Sequence, residues 1–176
     1  PTVATAIADQ SNDEDSALSF AVPTNTFSDE DGDTLTYTAT LSDGSALPSW
    51  LSFDATTRTF TGTPLNADVG DISVKITASD GSLSASDTFT LTVVNTNDDP
   101  TAIALSAMSL NENSADAVVG TLTTSDVDVG DSHYYTVSDD RFEVVDGQLK
   151  LKTGNTIEYA NEQSITLTVT TTDAAG

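Results

Sequence analysis

The amino-acid sequence predicts an all-β chain folded as two tandem β-sandwiches, the second cut short before its last strand. Three observations predict this. Short stretches alternate apolar residues with Thr or Ser, at spacings of roughly ten residues, and Gly, Asp and Asn turns separate them. Long runs with helical periodicity are absent. The same order of events, an acidic Glu motif, a strand, an Asp-x-Asp turn and an alternating strand ending in Asp, recurs after about 100 residues.

Residues 1–17 are polar with little periodicity and end in Asn12-Asp13-Glu14-Asp15. Leu18, Phe20 and Val22 then alternate with Ser19 and Ala21, a short strand that Pro23 stops. The acidic turn 28–33 leads into residues 35–41, apolar at odd positions and Thr at even ones, a half-buried strand with a solvated threonine face. Leu47, Leu51 and Phe53 surround the single Trp, Trp50, expected as a core plug under a loop. Residues 58–62 make a short strand ended by Gly62-Thr63-Pro64, and residues 66–71 a second acidic loop. Ile72, Val74, Ile76 and Ala78 form one alternating strand and Phe89, Leu91 and Val93 another, which runs into Asn95-Thr96-Asn97-Asp98-Asp99-Pro100.

After Pro100 the pattern restarts with Ile103 and Leu105, then a strand over 118–122 and an acidic turn over 125–131. Tyr134 and Tyr135 open the next strand and, if extended, point to opposite faces. Asp146-Gly147 is the turn pair of a hairpin joining 142–145 to 148–151. Ile165, Leu167 and Val169 predict a last alternating strand that closes at Asp173. The first half continues from Asp80 into a further strand over 88–94, and the second half has no counterpart of it. Loss of such a strand exposes edge hydrogen bonds and part of the core, so residues 101–176 are expected to be the less stable half.

Lys and Arg number 5 against 28 Asp and Glu, a formal net charge of −23. This excludes a nucleic-acid reader, which needs a basic face, and argues against an anionic membrane surface. Self-repulsion of this size opposes compaction. Bound divalent cations would offset it, and a halophilic surface or plain solubility charge are the alternatives. There is no Cys, hence no disulfide, thiolate metal site or cysteine nucleophile. No run approaches the ~18 apolar residues of a membrane span. With one His and no G-x-S-x-G elbow, an enzyme is not expected. His133 reads as a structural or surface histidine, and Arg141, Lys150 and Lys152 as solvated. The chain reads as a piece of a longer secreted protein.

Several stretches carry a resemblance. Residues 27–37 (FSDEDGDTLTY), 47–54 (LPSWLSFD), 61–64 (TGTP) and 77–81 (TASDG) resemble the dystroglycan-type cadherin-like domain of bacterial surface proteins. Asn111-Glu112-Asn113, residues 125–130 (SDVDVG), Ile157-Glu158-Tyr159 and residues 168–173 (TVTTTD) resemble a cadherin repeat. Residues 95–100 are similar to the linker of that family, which places the domains at 1–99 and 100–176. The resemblance implies two seven-stranded Greek-key sandwiches with calcium ions at each junction. At the central junction it implies Glu14 and Asp68 from the first domain, Asn95, Asn97, Asp98 and Asp99 from the linker, and Asp126, Asp128 and Asp173 from the second. Asp29, Asp31 and Asp80 would be the upper half of a site that precedes Pro1. Glu112 and Glu158 would be the lower half of one completed after Gly176. Asn95 is neutral where the family has Asp, and the spacer before Pro100 is missing, so a smaller ion cluster is expected.

The residue types suit that ion. Calcium takes six to eight oxygens in flexible geometry, and an Asp-x-Asp pair on extended backbone can aim two carboxylates the same way. The resemblance implies a non-enzymatic, calcium-stiffened extender of a large secreted cell-surface adhesin, as in biofilms, with adjacent repeats as partners. Related domains bind polysaccharide or pair with each other, which makes carbohydrate or self-association the alternative.

Overall fold

The computed structural model describes residues 1–174; the last two residues of the expected second domain, 175 and 176, lie outside the described residues. The chain divides into two compact units, one ending at Thr96 and the next beginning at Asn97.

The first unit contains β1 (Thr2–Val3), β2 (Gln10–Asp13), β3 (Leu18–Ala21), β4 (Phe27–Ser28), β5 (Thr36–Leu41), β6 (Leu51–Asp54), β7 (Thr59–Gly62), β8 (Gly70–Ser79) and β9 (Ser84–Val94). One sheet has the order β2-β9-β8-β5, the facing one β3-β7-β6, and β1 pairs with β4. Strand β9 lies antiparallel to β8 and parallel to β2. Two carboxylates pin the approach to β2: Asp87 Oδ2 accepts the Ile7 N–H and Asp9 Oδ1 the Thr90 N–H, each at 2.7 Å. The alternation read from the sequence sets the core. Val74, Ile76 and Ala78 of β8 are fully buried, with Phe89, Leu91 and Val93 of β9 beside them. Phe20, Phe53, Phe60 and Phe89 pack as an aromatic cluster with ring centroids 4.6–6.3 Å apart. Trp50 is half-buried against this core, as expected of a plug. It fixes a backbone rule as well, because a Cβ at Gly62 would overlap the Trp50 carbonyl.

The second unit contains β10 (Ala102–Leu105), β11 (Val118–Ser125), β12 (His133–Val137), β13 (Phe142–Val145), β14 (Gln148–Leu151) and β15 (Val169–Asp173). Its sheets have the orders β10-β11-β14-β13 and β12-β15. The β13–β14 hairpin turns at Asp146 and Gly147, both at positive φ (48° and 72°), as a two-residue turn of matching twist requires. Tyr135 faces inward with its hydroxyl 2.8 Å from Thr124 Oγ1, and Tyr134 is 67% exposed. The core is smaller, built on Val119, Leu122, Phe142, Leu149, Leu151 and Ile157.

Two expectations do not hold. The last alternating strand covers only Val169–Asp173, and residues 165–168 lie outside the ladder. Arg141, 35% exposed, is not left to solvent alone. Its guanidinium bridges Asp139 (2.6 Å) and Glu162 (2.7 Å), tying the turn before β13 to the loop after Tyr159.

Gly62→Ala should destabilise the first unit by on the order of 1–3 kcal/mol, since backbone rather than a flexible side chain stands in the way; denaturant unfolding monitored by Trp50 fluorescence reads it. The hydrogen bonds from Arg141 hold the Asp139 and Glu162 carboxyls below their ordinary ranges. Their contribution is therefore complete above about pH 4.3 and lost as pH falls through the depressed values. Arg141→Met should lower the second unit's melting temperature at pH 7 and flatten its dependence on pH below about 4.

Candidate metal centre

Glu14 comes directly after β2. Its N–H continues the parallel ladder by donating to the Val94 carbonyl at 3.0 Å. That register turns the side chain inward, and it is 1% exposed. Glu14 Oε1 accepts the Thr96 N–H at 2.9 Å. Its other oxygen, Oε2, is buried with no hydrogen-bond partner among the described residues. Asp15 beside it adopts a left-handed φ of 54° and donates its N–H to the Pro64 carbonyl. Asp68 is half-buried, and its Oδ2 accepts the Leu65 N–H at 3.0 Å, closing the 3-10 turn Asn66–Asp68. Asn95 is exposed and donates from Nδ2 to the Thr96 carbonyl.

The predicted upper group of the first unit does converge in part. Asp29 Oδ1 accepts the N–H groups of Asp31 and Asp33, and Asp80 Oδ1 those of Ser82 and Leu83. The Oδ2 atoms of Asp29 and Asp80 lie 3.0 and 3.6 Å from the Pro1 nitrogen. Asp31 is exposed and shapes the turn through its backbone.

In the second unit a chain of hydrogen bonds begins at the linker. The Asp98 N–H donates to Asp128 Oδ2 (2.7 Å), and the Asp128 N–H donates to Asp126 Oδ1 (3.0 Å). His133 Nε2 lies 2.8 Å from Asp126 Oδ2. Asp128 and Asp173 are 6% and 4% exposed, and Asp173 pairs in register with His133 across β12 and β15. The His133 contact is the main cause that holds the Asp126 carboxyl low, helped by the Asp128 N–H. Asp131 moves the other way. Lost hydration around its carboxyl raises it first, and the charges of Asp173, Asp128 and Asp126 add to this, although the residue as a whole is exposed. Four carboxylates thus crowd one end of the unit. Sequence reasoning passed over Asp131 and gave His133 no role at this end; the Asp126-Val127-Asp128-Val129-Gly130-Asp131 spacing was the available signal for the first. Asn97 and Asp99 are exposed.

Glu112 and Glu158, at the other end of this unit, are exposed. Glu112 Oε2 accepts the Tyr159 N–H at 3.0 Å and Glu158 Oε2 the Asn161 side-chain amide at 2.6 Å. The contrast with Glu14 is sharp, because both Glu14 and Glu112 hold the acidic Glu motif of their repeat.

The donor chemistry of Glu14, and of the acids at 126–131 and 173, suits a hard divalent cation. A carboxylate withdrawn from water without a compensating charge is costly, and Glu14 keeps one oxygen in that state. Carboxylates gathered as in 126–131 and 173 repel each other unless a cation sits among them.

Residues 1–94 match the family model described as "Putative Ig domain". The chain belongs to that family. Solved structures similar to this Ig-like chain are cadherin ectodomains. Human protocadherin-24 EC1-2 has a TM-score of 0.63 at 18% identity, over 88% of this chain and 77% of that one. Drosophila N-cadherin EC1-4 has 0.66 at 18%, over 94% and 44%. PcdhgB3 EC1-4 has 0.73 at 15%, over 94% and 44%. At these identities the likeness is one of fold: cadherin-like and Ig-like sandwiches in tandem. The Ig-like chain spans less than half of the two four-repeat structures. No curated protein matches its sequence.

Asp131→Asn relieves like-charge repulsion, so it should raise the second unit's melting temperature by a few degrees in chelator-treated buffer. Differential scanning calorimetry checks this; an unchanged value would mean the carboxylates do not interact.

Proposed function

We propose that this Ig-like chain is a non-enzymatic extender of an extracellular adhesion protein, a bacterial surface adhesin with a dystroglycan-type first domain, whose connecting segment is stiffened by calcium. The observation that carries the reading is Glu14, a fully buried carboxylate with one oxygen on the linker amide of Thr96 and the other without a partner among the described residues. The second unit supplies the matching argument on its own side of the linker, where Asp98 is bonded to Asp128. Glu14 and Asp128 each accept an amide of the connecting peptide, those of Thr96 and Asp98, two residues apart in sequence.

Glu14 and Asp68 from the first unit, Asn95, Asn97, Asp98 and Asp99 from the linker, and Asp126, Asp128 and Asp173 from the second are the residues that would hold the ions. Bound calcium would supply charge neutralisation and a cross-link. The chain's own residues orient the donors: the Thr96 amide fixes Glu14, and the Asx turn with His133 fixes Asp126 and Asp128. Asp29, Asp31 and Asp80, and separately Glu112 and Glu158, would belong to the junctions with neighbouring repeats, the chain's partners. A polysaccharide ligand is the weaker reading, since Trp50 is packed against the core rather than offered on the surface.

Calcium titration should raise the melting temperature and narrow the small-angle scattering ensemble, and chelator should reverse both. Glu14→Gln separates the sign. Removing the buried charge should leave the metal-free protein as stable or more so, and shrink the increment calcium adds by at least half. Calcium that changes neither melting nor scattering would overturn the reading.

A further inference from the structure

Glu14 has a second carboxylate at its side. Asp15 follows it in the chain, and each side chain brings an oxygen within 4.8 Å of the other. Among the described residues neither is salt-bridged to a basic group. Two carboxylates this close repel unless a cation joins them.

The backbone holds the pair in place. The Glu14 N–H donates to the Val94 carbonyl at 3.0 Å, and the Asp15 N–H to the Pro64 carbonyl at 2.8 Å. Asn12 braces the same turn, donating from Nδ2 to the carbonyls of Asp13 (2.7 Å) and Ser16 (2.9 Å). Asp15 sits at φ 54°, a left-handed conformation that L residues other than Asn and Asp seldom adopt. Glycine or asparagine would serve this turn at least as well, yet the position carries a charge.

An exposed acid in a turn needs no cation for its own sake, and Asp15 is exposed. Glu14 is what sets the pair apart. Its Oε1 is engaged by the Thr96 amide, and its Oε2 is buried without a hydrogen-bond partner among the described residues. Glu14 thus offers a withdrawn oxygen and Asp15 a solvated one. An ion can reach such a pair while it keeps part of its water shell. Asp68 is placed differently. Its Oδ2 accepts the Leu65 N–H to close the 3-10 turn, and it does not come within the same 4.8 Å of both Glu14 and Asp15.

We propose that Asp15 is the principal partner of Glu14 in holding a divalent cation at this end of the first unit, with Asp68 in a lesser place. This rests on the calcium reading of the connecting segment and gives that site a ligand of its own. Two carboxylates balance one divalent charge, and the other positions around a hard ion are open to water and to amide oxygens.

Calorimetric titration with calcium chloride of the chelator-treated full chain tests the assignment. Asp15→Asn keeps the left-handed turn and removes only the charge. It should leave the metal-free melting temperature unchanged or raised, and weaken the tightest calcium binding by about tenfold or more. Asp15→Gly, which relaxes the backbone and deletes the carboxylate, should act in the same direction on both. Asp68→Asn keeps an acceptor oxygen for Leu65 and should change the affinity by no more than about threefold. Both asparagine variants lower the acidic charge equally, so the general attraction of a chain of net charge −23 for cations moves equally in each. The difference between them reads direct ligation. The Thr96 amide resonance is the local readout, and in Asp15→Asn it should need about ten times more calcium to shift. Calcium binding that survives Asp15→Asn unchanged, or a larger loss from Asp68→Asn, would overturn the assignment and leave the calcium reading standing. No calcium binding by the unsubstituted chain would overturn both.

Discussion

The first unit depends on the ladder between β8 and β9. Ten register pairs, from Gly70↔Val93 to Ser79↔Ser84, hold the two longest strands together. Their alternation presses Val74, Ile76 and Ala78 beside Phe89, Leu91 and Val93. The same strand β9 carries β2 on its other edge, and β2 delivers Glu14 to the end of the ladder. Strand pairing thus places a carboxylate where hydrophobic packing alone would never put one. Among the described residues the second unit has the β12–β15 pairing and no counterpart of this ladder. Its β15 is half as long as β8, and its core is smaller.

Charge is the second constraint. A chain with 28 acidic and 5 basic residues must distribute its carboxylates so that they do not push the fold apart. Many of them form turns: Asp43, Asp54, Asp80 and Asp139 each accept backbone N–H groups from residues two or three ahead. Two of the basic residues are used locally, Arg141 on Asp139 and Glu162 and Lys150 near Glu143 at 3.6 Å. The carboxylates that are neither turn-forming nor countered by a basic side chain include Glu14, where burial makes the imbalance consequential.

Much of the fold was legible because a strand with one buried face must alternate. Residues 36–41, 72–78 and 89–93 show this, and the hairpin at Asp146-Gly147 was readable from the turn pair alone. Residues 165–168 were not, because alternation records what a strand would bury and not whether a neighbour is present to hold it. Arg141 was misread for a related reason. Its partners are 2 and 21 residues away, and the second distance is set by tertiary packing. For the acidic clusters, identity and order of the donors were visible in Glu14, Asp126, Asp128 and Asp173. The burial difference between Glu14 and Glu112 was not, since it depends on which backbone amide reaches each side chain. Asp131 was overlooked as one more acid in a turn, although its crowding is set by the fold around Asp173.

The parallel pairing of β2 with β9 has a mechanical consequence. These strands lie next to the two ends of the first unit, and Gln10–Asp13 run alongside Leu91–Val94 in the same direction. Tension applied through the chain would pull β2 backward and β9 forward. Their hydrogen bonds would then be loaded together in shear, not opened one at a time as in a hairpin peeled from its end. In the second unit β10 pairs antiparallel with β11, and no such parallel clamp exists among the described residues. Under load the first unit would resist through this clamp.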